Sequence, residues 1–529
     1  MNNKGATLTL EEAGKFASSL IGKDVTASNI NYLIQYGRID GVTLNGSLHI
    51  YRDQLTKYYD SFLGRREIEW KSKLGNDVNW ALSFDNYKEA QTTKHVHRLH
   101  PYKGKYIPQL VEYFLDDHVD DFKKEVYFAK GDIILDPFCG SGTTLVEANE
   151  LGMCAIGVDV SAFNAQIANC KVQSYDIASV SKYILGITTA LEKFESTLNV
   201  KPFEEELLQQ LYLFNSKYFP SPEFKKAIYQ KRVDEKAYAA EKAPLFLPTF
   251  YGLASKYNIN YNISLDANFI DKWYFETARK EIYYIKSLID NVDDTTIKQL
   301  LQVILSRTIR SCRATTHSDL ATLLKPVYTT YYCTKHKKVC KPLFSILKWW
   351  KTYSQDTIKR IKQFAAIRTN TSQYCFVGDS ARIDIEQAIE EIGGDIAKNY
   401  KNNKIRGIFS SPPYVGLIDY HEQHAYAYEL FGFERKDELE IGSMSKGYGR
   451  LAVQRYIDDI ANVLVNCKKF LVPNYDIFIV ANDKHNIYPI IAEKAGMEIT
   501  ERFRRPVLNR TEKNKDAYSE TIFRMKEKV

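Results

Sequence analysis

The sequence predicts an α/β protein in which one mainly parallel, Rossmann-like sheet is interrupted by a long helical insertion. Strand–turn–helix units follow one another from Asp132, and strand signals return only after about residue 370. Such alternation of strands and helices favours a parallel sheet. A third observation, a helix–turn–helix–hairpin pattern ahead of these units, predicts a small separate module at the N-terminus.

The first half of the predicted sheet lies in residues 93–177. "DIILDPFCGSGTTLVEANELG" is typical of a buried strand, a glycine-rich turn and a helix, and "CAIGVDVSAFNAQIANCKV" of a second strand and helix. Gly140 and Gly142 permit a tight turn with its backbone close to a ligand. Asp159 ends the second strand roughly 20 residues beyond the turn, as a ribose-binding carboxylate would. Thr143 and Thr144 replace a diphosphate cradle, which favours a cofactor with ribose but no diphosphate.

The second half of the sheet is predicted in residues 370–529, from the strand signals in "YCFVGDSARI", "IRGIFSSPPY" and "YDIFIVANDKH". Pro412 and Pro413 cannot donate to a sheet ladder, so the middle strand has to stop before them. Residues 178–369 are charged and aromatic, and the stretch is too long for a loop. We therefore expect a mostly helical insertion between the two halves.

Residues 1–65 predict the N-terminal module. "LTLEEAGKFASSL" has helical spacing, and "TASNINYLIQYGRIDGV" opens with Thr26 and Ser28 as candidate caps. "TLNGSLHIYRDQLTKYY" then carries an Asn-Gly hairpin signal followed by a helix. This order resembles the winged helix-turn-helix of excisionase- or repressor-like DNA-binding modules. A helical cap on the next domain is the alternative, and the sequence leaves both open.

Composition fits a polyanion partner without establishing one. The net charge is +7 over 529 residues, and the 37 tyrosines together with lysine suit base stacking and phosphate contact. A compositional bias of the source proteome is the alternative explanation. Eight scattered cysteines and the lack of a secretory apolar region predict a reducing cytoplasm. No apolar run approaches the ~18 residues of a membrane span.

Several motifs in a consistent order carry a family resemblance. "DPFCGSGTT" together with "SSPPY" resembles the S-adenosylmethionine-dependent amino-methyltransferases of DNA. "HRLHPYKGKYIP" resembles their cofactor-side segment, "FVGDSARI" their adenine-contacting strand end, and "RFRRPVLNR" with Tyr518 and Glu520 their C-terminal part. The resemblance covers about residues 93–177 and 369–528. It implies that the insertion at 178–369 is the target-recognition region.

The resemblance implies one cofactor, S-adenosylmethionine, and assigns roles to specific residues. The implied cofactor-binding residues are Asp136, Phe138, Gly140, Gly142, Thr143, Asp159, Asp379 and Ser380. The implied catalytic residues are Ser411, Pro412, Pro413 and Tyr414. The Ser411 hydroxyl and the Pro412 carbonyl would accept hydrogen bonds from an exocyclic amine, with Tyr414 stacked on a base rotated out of the duplex. Cys139 is interpreted as part of the cofactor turn and not as a nucleophile.

Three further residues of the second half, Asp379, Asp419 and Tyr420, have a second interpretation. Asp379, expected to meet the cofactor's adenine amine, is also suited to capping the helix that follows, and the two roles do not exclude each other. Asp419 and Tyr420, shortly after the catalytic motif, either line the base pocket or lie on a surface helix, and the sequence leaves both open.

The implied activity is site-specific methylation of double-stranded DNA. In this family Ser-Pro-Pro-Tyr is commonly associated with N4 of cytosine, and Asp- or Asn-Pro-Pro-Tyr with N6 of adenine. A restriction-modification or other defence context follows, with a restriction endonuclease as candidate partner. Three alternatives stay open: adenine-N6 methylation, methylation of guanine N2 in transfer RNA, and a non-catalytic DNA-binding protein on a methyltransferase core.

A cluster of cysteine and histidine residues lies in the insertion. Cys333, His336 and Cys340 have spacing compatible with a structural zinc knuckle, completed by Cys312 or His317. Four interleaved lysines, Lys335, Lys337, Lys338 and Lys341, favour a basic loop that faces DNA instead. No metal is therefore part of the predicted cofactor set. The insertion and the N-terminal module are predicted to make most of the DNA contacts.

Overall fold

The computed structural model describes residues 6–21, 24–35, 39–44, 46–60, 65–75, 77–84, 87, 89–262, 268–317, 319, 323–507 and 517–528. The chain divides into two units. The first, called the helical unit here, comprises Met1–Lys73, Glu192–Glu281 and Cys312–Ser345. The second, called the sheet unit, comprises Leu74–Leu191, Ile282–Ser311 and Ile346–Val529.

The N-terminal segment contains β1 (Thr7–Thr9), α1 (Leu10–Ile21), α2 (Ala27–Gln35), β2 (Gly41–Leu44), β3 (Ser47–Tyr51), α3 (Arg52–Asp60) and α4 (Arg65–Leu74). The helix–turn–helix–hairpin order is confirmed, and β1 adds a third strand to give the antiparallel order β1-β3-β2. Thr26 caps α2, because its hydroxyl accepts the Asn29 N–H at 3.3 Å. Ser28 lies inside α2, and Asn45 of the hairpin turn is outside the described residues.

The first half of the sheet follows, with α5 (Glu89–Thr92), α6 (Pro108–Leu115), β4 (Ile133–Asp136), α7 (Thr143–Glu150), β5 (Cys154–Asp159), α8 (Ala162–Val172) and α9 (Ile177–Glu195). The predicted insertion at 178–369 includes all of α9 but its first residue. It continues with α10 (Val200–Tyr218), α11 (Glu223–Tyr229), α12 (Glu235–Lys242), α13 (Leu247–Lys256), α14 (Phe269–Trp273), α15 (Glu276–Asp290), α16 (Thr295–Ser311), β6 (Tyr331–Cys333), β7 (Lys338–Cys340) and α17 (Leu347–Ala365).

The second half contains β8 (Gln373–Val377), α18 (Ile385–Ile392), α19 (Gly394–Asn402), β9 (Ile405–Ser410), α20 (Tyr420–Gln423), α21 (Ala425–Phe431), α22 (Arg450–Lys468), β10 (Leu471–Ala481), α23 (Tyr488–Lys494), β11 (Met497–Pro506) and β12 (Ser519–Glu527). Short 3₁₀ turns at Trp80–Ser83, His95–Arg98, Ala243–Phe246, Asp437–Leu439 and Met444–Lys446 complete the described elements. None of the described helices combines the length and the apolar character that crossing a bilayer requires.

The two halves form one seven-stranded sheet in the order β11-β12-β10-β9-β4-β5-β8. The strands from β10 to β8 are parallel, and β12 and β11 add an antiparallel edge. The predicted α/β fold class is therefore confirmed. β4 and β9 are neighbours, although the insertion separates them in sequence, and the strand order reverses between them. Open α/β sheets bind ligands outside the carboxyl ends of strands at such a reversal.

Helices cover both faces of this sheet. On one face Ile457, Ile460 and Leu464 of α22 pack with strand residues such as Ile477 into a continuous apolar core. On the other face the ring of Phe114 lies 5.1 Å from that of Phe478. Strands that are buried on both sides have near-continuous apolar sequences, which explains runs such as "IIL" in β4.

The insertion is mostly helical, as predicted, with one exception. The short β6–β7 hairpin packs on an aromatic core of the helical unit that includes Phe203, Phe250 and Phe344. Within the sheet unit, α16 lies against α8, where the Gln166 side-chain amide donates to that of Gln302 at 3.0 Å. The chain predicted as one insertion thus contributes to both units, and its predicted boundaries remain predictions.

Candidate functional site

The turn after β4 depends on two glycines with positive φ, and they serve different contacts. At Gly140, φ is +51° and a Cβ would approach the ring of Tyr102 to between 3.0 and 3.2 Å. At Gly142, φ is +75° and a Cβ would meet Ala168 of α8 at 2.8 Å. Gly140 therefore lets an aromatic ring close over the turn, whereas Gly142 lets α8 pack beneath it.

Asp159, at the end of β5, is held against this turn. One carboxylate oxygen accepts the Gly140 N–H at 2.7 Å, and the other accepts the Ser161 N–H at 2.9 Å and the Asn164 amide at 3.1 Å. Burial raises the pKa of Asp159 to about 6, and these hydrogen bonds partly offset that increase. The carboxylate therefore has a fixed orientation and is ionised in most molecules at neutral pH.

Asp136, at the end of β4, is fully buried and joins β4 to β9. Its carboxylate accepts from the Ser410 hydroxyl at 2.6 Å, the Phe138 N–H at 3.2 Å and the Tyr106 hydroxyl at 3.1 Å. Burial raises the pKa of Asp136, and hydrogen bonds from Ser410 and its other partners lower it in part. The residue fixes the ends of two adjacent strands relative to each other.

An open cleft lies beside these strand ends, and its empty space amounts to about 810 Å³ when the open solvent at its mouth is included. Eight of the sequence-predicted site residues line it: Phe138, Gly140, Thr143, Asp159, Asp379, Ser380, Ser411 and Pro413. Asp136, Gly142, Pro412 and Tyr414 do not line it. The structure thus brings residues of both predicted motifs to one cleft.

The Ser-Pro-Pro-Tyr segment leaves the sheet where β9 ends. Ser410 is the last strand residue, and the strand ends there because the two prolines after Ser411 cannot donate to the ladder. The Ser410 hydroxyl is turned inward to Asp136. The Tyr414 hydroxyl donates to Glu520 at 3.0 Å. Glu520 in turn accepts from the Arg505 guanidinium at 3.1 Å. An ion pair on the antiparallel edge of the sheet therefore fixes the polar end of the Tyr414 ring.

The structure also resolves several open interpretations. Asp379 does not cap α18: it accepts the Ala381 N–H at 2.9 Å within its own turn, and Asp384 is the capping residue.

Tyr420 lines the cleft, whereas Asp419 is turned to Ser445, whose N–H it accepts at 2.9 Å. Burial raises the pKa of the Cys139 thiol, which agrees with a structural role in the turn.

The cleft is also lined by aromatic and basic residues that belong to no sharp sequence motif. Tyr102 and Tyr420 stack with ring centroids 5.7 Å apart. Lys105 donates to the His97 carbonyl at 2.9 Å, and burial lowers its pKa to about 8. Tyr102, Lys105 and Tyr106 fall within "HRLHPYKGKYIP", where the resemblance marks the segment as a whole and assigns no role to single residues. Glu440 carries no comparable sequence signal.

The donor and acceptor groups of the cleft fit S-adenosylmethionine. Ser141 and Asn164 line it, and the Ser141 hydroxyl oxygen and the Asn164 carbonyl oxygen are buried without a hydrogen-bond partner in the protein. Buried polar atoms of this kind require a partner, which a bound ligand supplies. Asp159 offers a carboxylate for ribose hydroxyls, and Lys105 offers a cation for a carboxylate. These residues match a cofactor that combines a nucleoside with an amino acid.

Comparison with known proteins identifies relatives that match this chain over very different lengths. A family model described as DNA methylase matches residues 51–169. The chain is 44% identical to the type II methyltransferase M.MjaII of Methanocaldococcus jannaschii over 522 residues, which cover 98% of this chain and 96% of that protein. It is 32% identical to the type II methyltransferase M.MvaI of Kocuria varians over 128 residues, 24% of this chain and 26% of that protein. A probable tRNA (guanine(10)-N2)-dimethyltransferase of Methanothermococcus thermolithotrophicus is 38% identical over 78 residues, 14% of this chain and 45% of that protein.

Proposed function

This chain belongs to the amino-methyltransferase family of type II DNA methyltransferases, and from that premise we propose that it methylates N4 of cytosine at a specific site in duplex DNA. The observation that carries the proposal is the common cleft. Ser411 and Pro413 line the same cleft as Asp159 and Asp379, so a target base and a nucleoside cofactor can reach one another there. Methylation of DNA in a restriction-modification context follows from the family.

The amine of a base is a weak nucleophile because its lone pair is delocalised into the ring. The Ser411 hydroxyl and the Pro412 carbonyl would accept hydrogen bonds from the two amine hydrogens and favour a pyramidal nitrogen. The two prolines fix φ near −65°, so these acceptors lose little freedom when the base arrives. The bound cofactor supplies an electrophilic methyl group on a sulfonium, which needs no covalent enzyme intermediate.

Tyr414 would stack on the base after it rotates out of the duplex. Its ring is only partly buried, and the Glu520–Arg505 pair fixes its hydroxyl. A ring held at its polar end offers a face without the entropy cost of a free rotor. Stacking provides affinity for any base, so the choice of cytosine would come from the groups around the amine.

Cofactor binding is assigned to the turn and its surroundings. Asp159 would accept from the ribose hydroxyls, Asp379 from the adenine amine, and Lys105 would pair with the carboxylate of the amino-acid part. Ser141 and Asn164 supply acceptors whose hydrogen bonding is incomplete in the protein alone. Asp136 and Gly142 would act indirectly, since they position the strand ends and the helix behind the cleft.

Duplex DNA is the proposed macromolecular substrate, and the charge distribution supports the helical unit as its main contact. That unit has 29 lysine and arginine residues against 22 aspartate and glutamate residues, whereas the sheet unit has 43 of each. The whole net charge of +7 therefore belongs to the helical unit. A cognate restriction endonuclease is part of the proposal as a separate protein that recognises the same site.

Mass spectrometry of nucleosides from treated DNA tests the proposed base. Unmethylated duplex DNA incubated with the protein and S-adenosylmethionine should yield N4-methylcytosine. Ser411→Ala, which removes one acceptor from the amine, should lower the single-turnover rate more than DNA affinity. A product of N6-methyladenine would overturn the choice of cytosine.

Methylation of transfer RNA is the second candidate, favoured by the local similarity to a probable tRNA methyltransferase. That similarity covers 14% of this chain, whereas the similarity to a type II DNA enzyme covers nearly all of it. Radiolabelled methyl transfer to duplex DNA and to unmodified transfer RNA, measured side by side, discriminates between them. Transfer to RNA alone would contradict the DNA substrate.

A further inference from the structure

Four potential metal ligands converge in the helical unit, which contains none of the residues assigned to methyl transfer. They are His317, Cys333, His336 and Cys340, and one ligand atom from each lies within 4.8 Å of the others. Both cysteines are buried, and both are free thiols. Two thiols and two imidazoles form the donor set of a structural zinc site, because soft sulfur ligands select zinc over calcium or magnesium.

The distances within the cluster agree with a tetrahedral ion. His336 Nδ1 lies 3.5 Å from the sulfur of Cys333 and 3.6 Å from that of Cys340. His317 Nδ1 lies 3.7 Å from the Cys333 sulfur. A tetrahedral zinc with Zn–S bonds of ~2.3 Å and Zn–N bonds of ~2.0–2.1 Å keeps its sulfur and nitrogen ligands ~3.6 Å apart. The side chains are thus already spaced for an ion between them.

The local backbone supports the same interpretation. Cys333 ends β6, Cys340 ends β7, and His336 lies in the turn of the hairpin. The His336 N–H points at the Cys333 sulfur at 3.4 Å, and the Lys337 N–H donates to the Cys333 carbonyl at 2.7 Å. The turn therefore wraps around one sulfur and brings the imidazole of His336 towards both thiols.

We propose that His317, Cys333, His336 and Cys340 bind one structural Zn²⁺ that fastens the β6–β7 hairpin within the helical unit. Each strand of the hairpin has three residues, and an isolated hairpin of that size is marginal in water. The hairpin residue Val339 and Ala314, which lies close in sequence to His317, both pack in the aromatic core of this unit. The ion would add a second connection between the hairpin and the segment that carries His317.

The choice of His317 as fourth ligand excludes Cys312, the other candidate from the sequence. Cys312 is buried but does not belong to the cluster. His317 Nδ1 lies 2.7 Å from the Tyr331 hydroxyl, so this contact would rearrange if that nitrogen binds the ion.

Two other clusters of the described residues carry no such proposal. The first cluster is His95, His97 and Glu150, and the ammonium of Lys94 lies 2.8 Å from Glu150, where it already supplies the positive charge. The second cluster is His421, Asp437 and Glu440, in which the Glu440 carboxylate accepts the backbone N–H groups of Tyr420 and His421. Neither offers a thiolate.

The basic lysines do not argue against the ion. Lys337 pairs with Glu235 at 2.6 Å, and Lys341 pairs with Glu204 at 2.5 Å. Two of the four interleaved lysines are therefore engaged in structural ion pairs inside the helical unit. Lys335 and Lys338 remain exposed on the hairpin, so a zinc site and a DNA-facing surface are compatible.

Metal analysis of the full-length protein tests the proposal. Protein purified without chelator should contain one zinc per chain by inductively coupled plasma mass spectrometry. X-ray absorption at the zinc edge should give two sulfur and two nitrogen neighbours. Cobalt exchanged into the protein should give the intense visible bands of a tetrahedral site and a thiolate charge-transfer band. Protein that holds no stoichiometric zinc after incubation with the ion, or a shell without sulfur, would overturn the proposal.

Variants assign the ligands. Cys333→Ser and Cys340→Ser should each lose the stoichiometric metal, and His317→Ala should bind cobalt with an altered visible spectrum. Cys312→Ala is the matched control, a buried cysteine of the same unit, and should keep one zinc per chain. Loss of zinc in Cys312→Ala with retention in His317→Ala would overturn the assignment of His317. If a ligand variant fails to fold, the X-ray absorption spectrum of the wild-type protein at the zinc edge still determines how many sulfur and nitrogen ligands the ion has.

Discussion

The two parts of the Tyr414 side chain have different roles. Its hydroxyl is bound by Glu520, whereas the ring is the part expected to contact the base. We expect Tyr414→Ala to weaken binding of cognate DNA by ~1–3 kcal/mol, the value of one base–aromatic stack, and to lose most activity. Affinity for S-adenosylmethionine should not change, because Tyr414 is not among the residues that line the cleft.

Tyr414→Phe is the control for that change. It keeps the ring and removes only the hydrogen bond to Glu520, so most activity should remain. Methyl-transfer rates and cofactor titration calorimetry on both variants provide the comparison. Equal loss of activity in the two variants would mean that the hydroxyl, and not the stacking face, is what matters.

Asp159 makes cofactor binding depend on pH. Its pKa is about 6, and only the ionised carboxylate accepts from both ribose hydroxyls. Affinity for S-adenosylmethionine should therefore be full above pH 7 and fall as the pH drops through 6, by at most about tenfold per pH unit. Asp159→Asn should bind more weakly at pH 7.5 and lose this acidic limb. Calorimetry between pH 5 and 8 measures both profiles, and an identical limb in the variant would assign the titration to another group.

The same group affects stability with the opposite sign. Its folded-state pKa is raised above the ordinary value of ~3.9, so its favourable contribution is present below that pH and is lost as the pH rises through 6. The protein without cofactor is thus destabilised at neutral pH by the carboxylate that the cofactor requires.

Among single residues, the sequence predicts those whose type is required by a motif. It does not predict residues that reach the cleft only through the folding of distant segments. Gly140 and Asp159 were identifiable because a tight turn and a strand end restrict residue type. Lys105 and Glu440 were not, because a lysine or glutamate outside a sharp motif is most often a solvated surface residue. Their burial in the cleft depends on long-range packing that no local pattern encodes.

Among the elements, β4 and β9 are joined by a side-chain hydrogen bond in addition to their backbone pairing, and no sequence pattern predicts that bond. The Ser410 hydroxyl donates to Asp136 at 2.6 Å where neither side chain is exposed to solvent. Ser410→Ala should lower the free energy of unfolding by ~1.5–3 kcal/mol, because a hydrogen bond to a buried carboxylate is lost. It should also weaken cofactor binding, since the strand ends frame the cleft.

Ser354→Ala is the matched control for Ser410→Ala. Ser354 lies in α17, is equally buried, and its hydroxyl has no hydrogen-bond partner in the protein. Its replacement should be neutral or slightly stabilising, because alanine has the higher helix propensity. Denaturant titrations of the two variants give the difference, and equal destabilisation would contradict a specific role for the Ser410–Asp136 bond.

The elements differ in how far their sequences predict them. β4, β5 and β9 are buried on both faces, so their apolar runs gave clear signals. β11 and β12 are the antiparallel strands at one end of the sheet, and charged residues interrupt their apolar pattern, so the sequence predicts them only as the C-terminal part of the family resemblance. β6 and β7 have three residues each, fewer than any periodicity requires, and their strongest signal was the spacing of the cysteines.

Over the whole molecule, charge and chemistry are divided between the two units. The sheet unit contains the cleft and has no net charge, whereas the helical unit contains the entire excess of +7. Residues 312–345 contribute most of it, with six basic side chains and one acidic side chain. Composition alone gave the total but not its location, because the helical unit is assembled from three separate stretches of the chain.

This division predicts which lysines set the salt dependence of DNA binding. Lys335 and Lys338 are exposed on the β6–β7 hairpin, and each phosphate contact contributes about −0.9 to the slope of log affinity against log salt. The double variant Lys335→Gln/Lys338→Gln should therefore bind cognate DNA more weakly and reduce the magnitude of that slope by about 2. Lys398→Gln/Lys401→Gln on α19 removes the same charge from the sheet unit and should leave the slope unchanged. Fluorescence anisotropy between about 50 and 200 mM salt measures both. An unchanged slope in the hairpin variant would mean that Lys335 and Lys338 do not contact DNA phosphates. An equal change in the α19 variant would mean that the slope follows the total charge of the protein and not the position of these lysines.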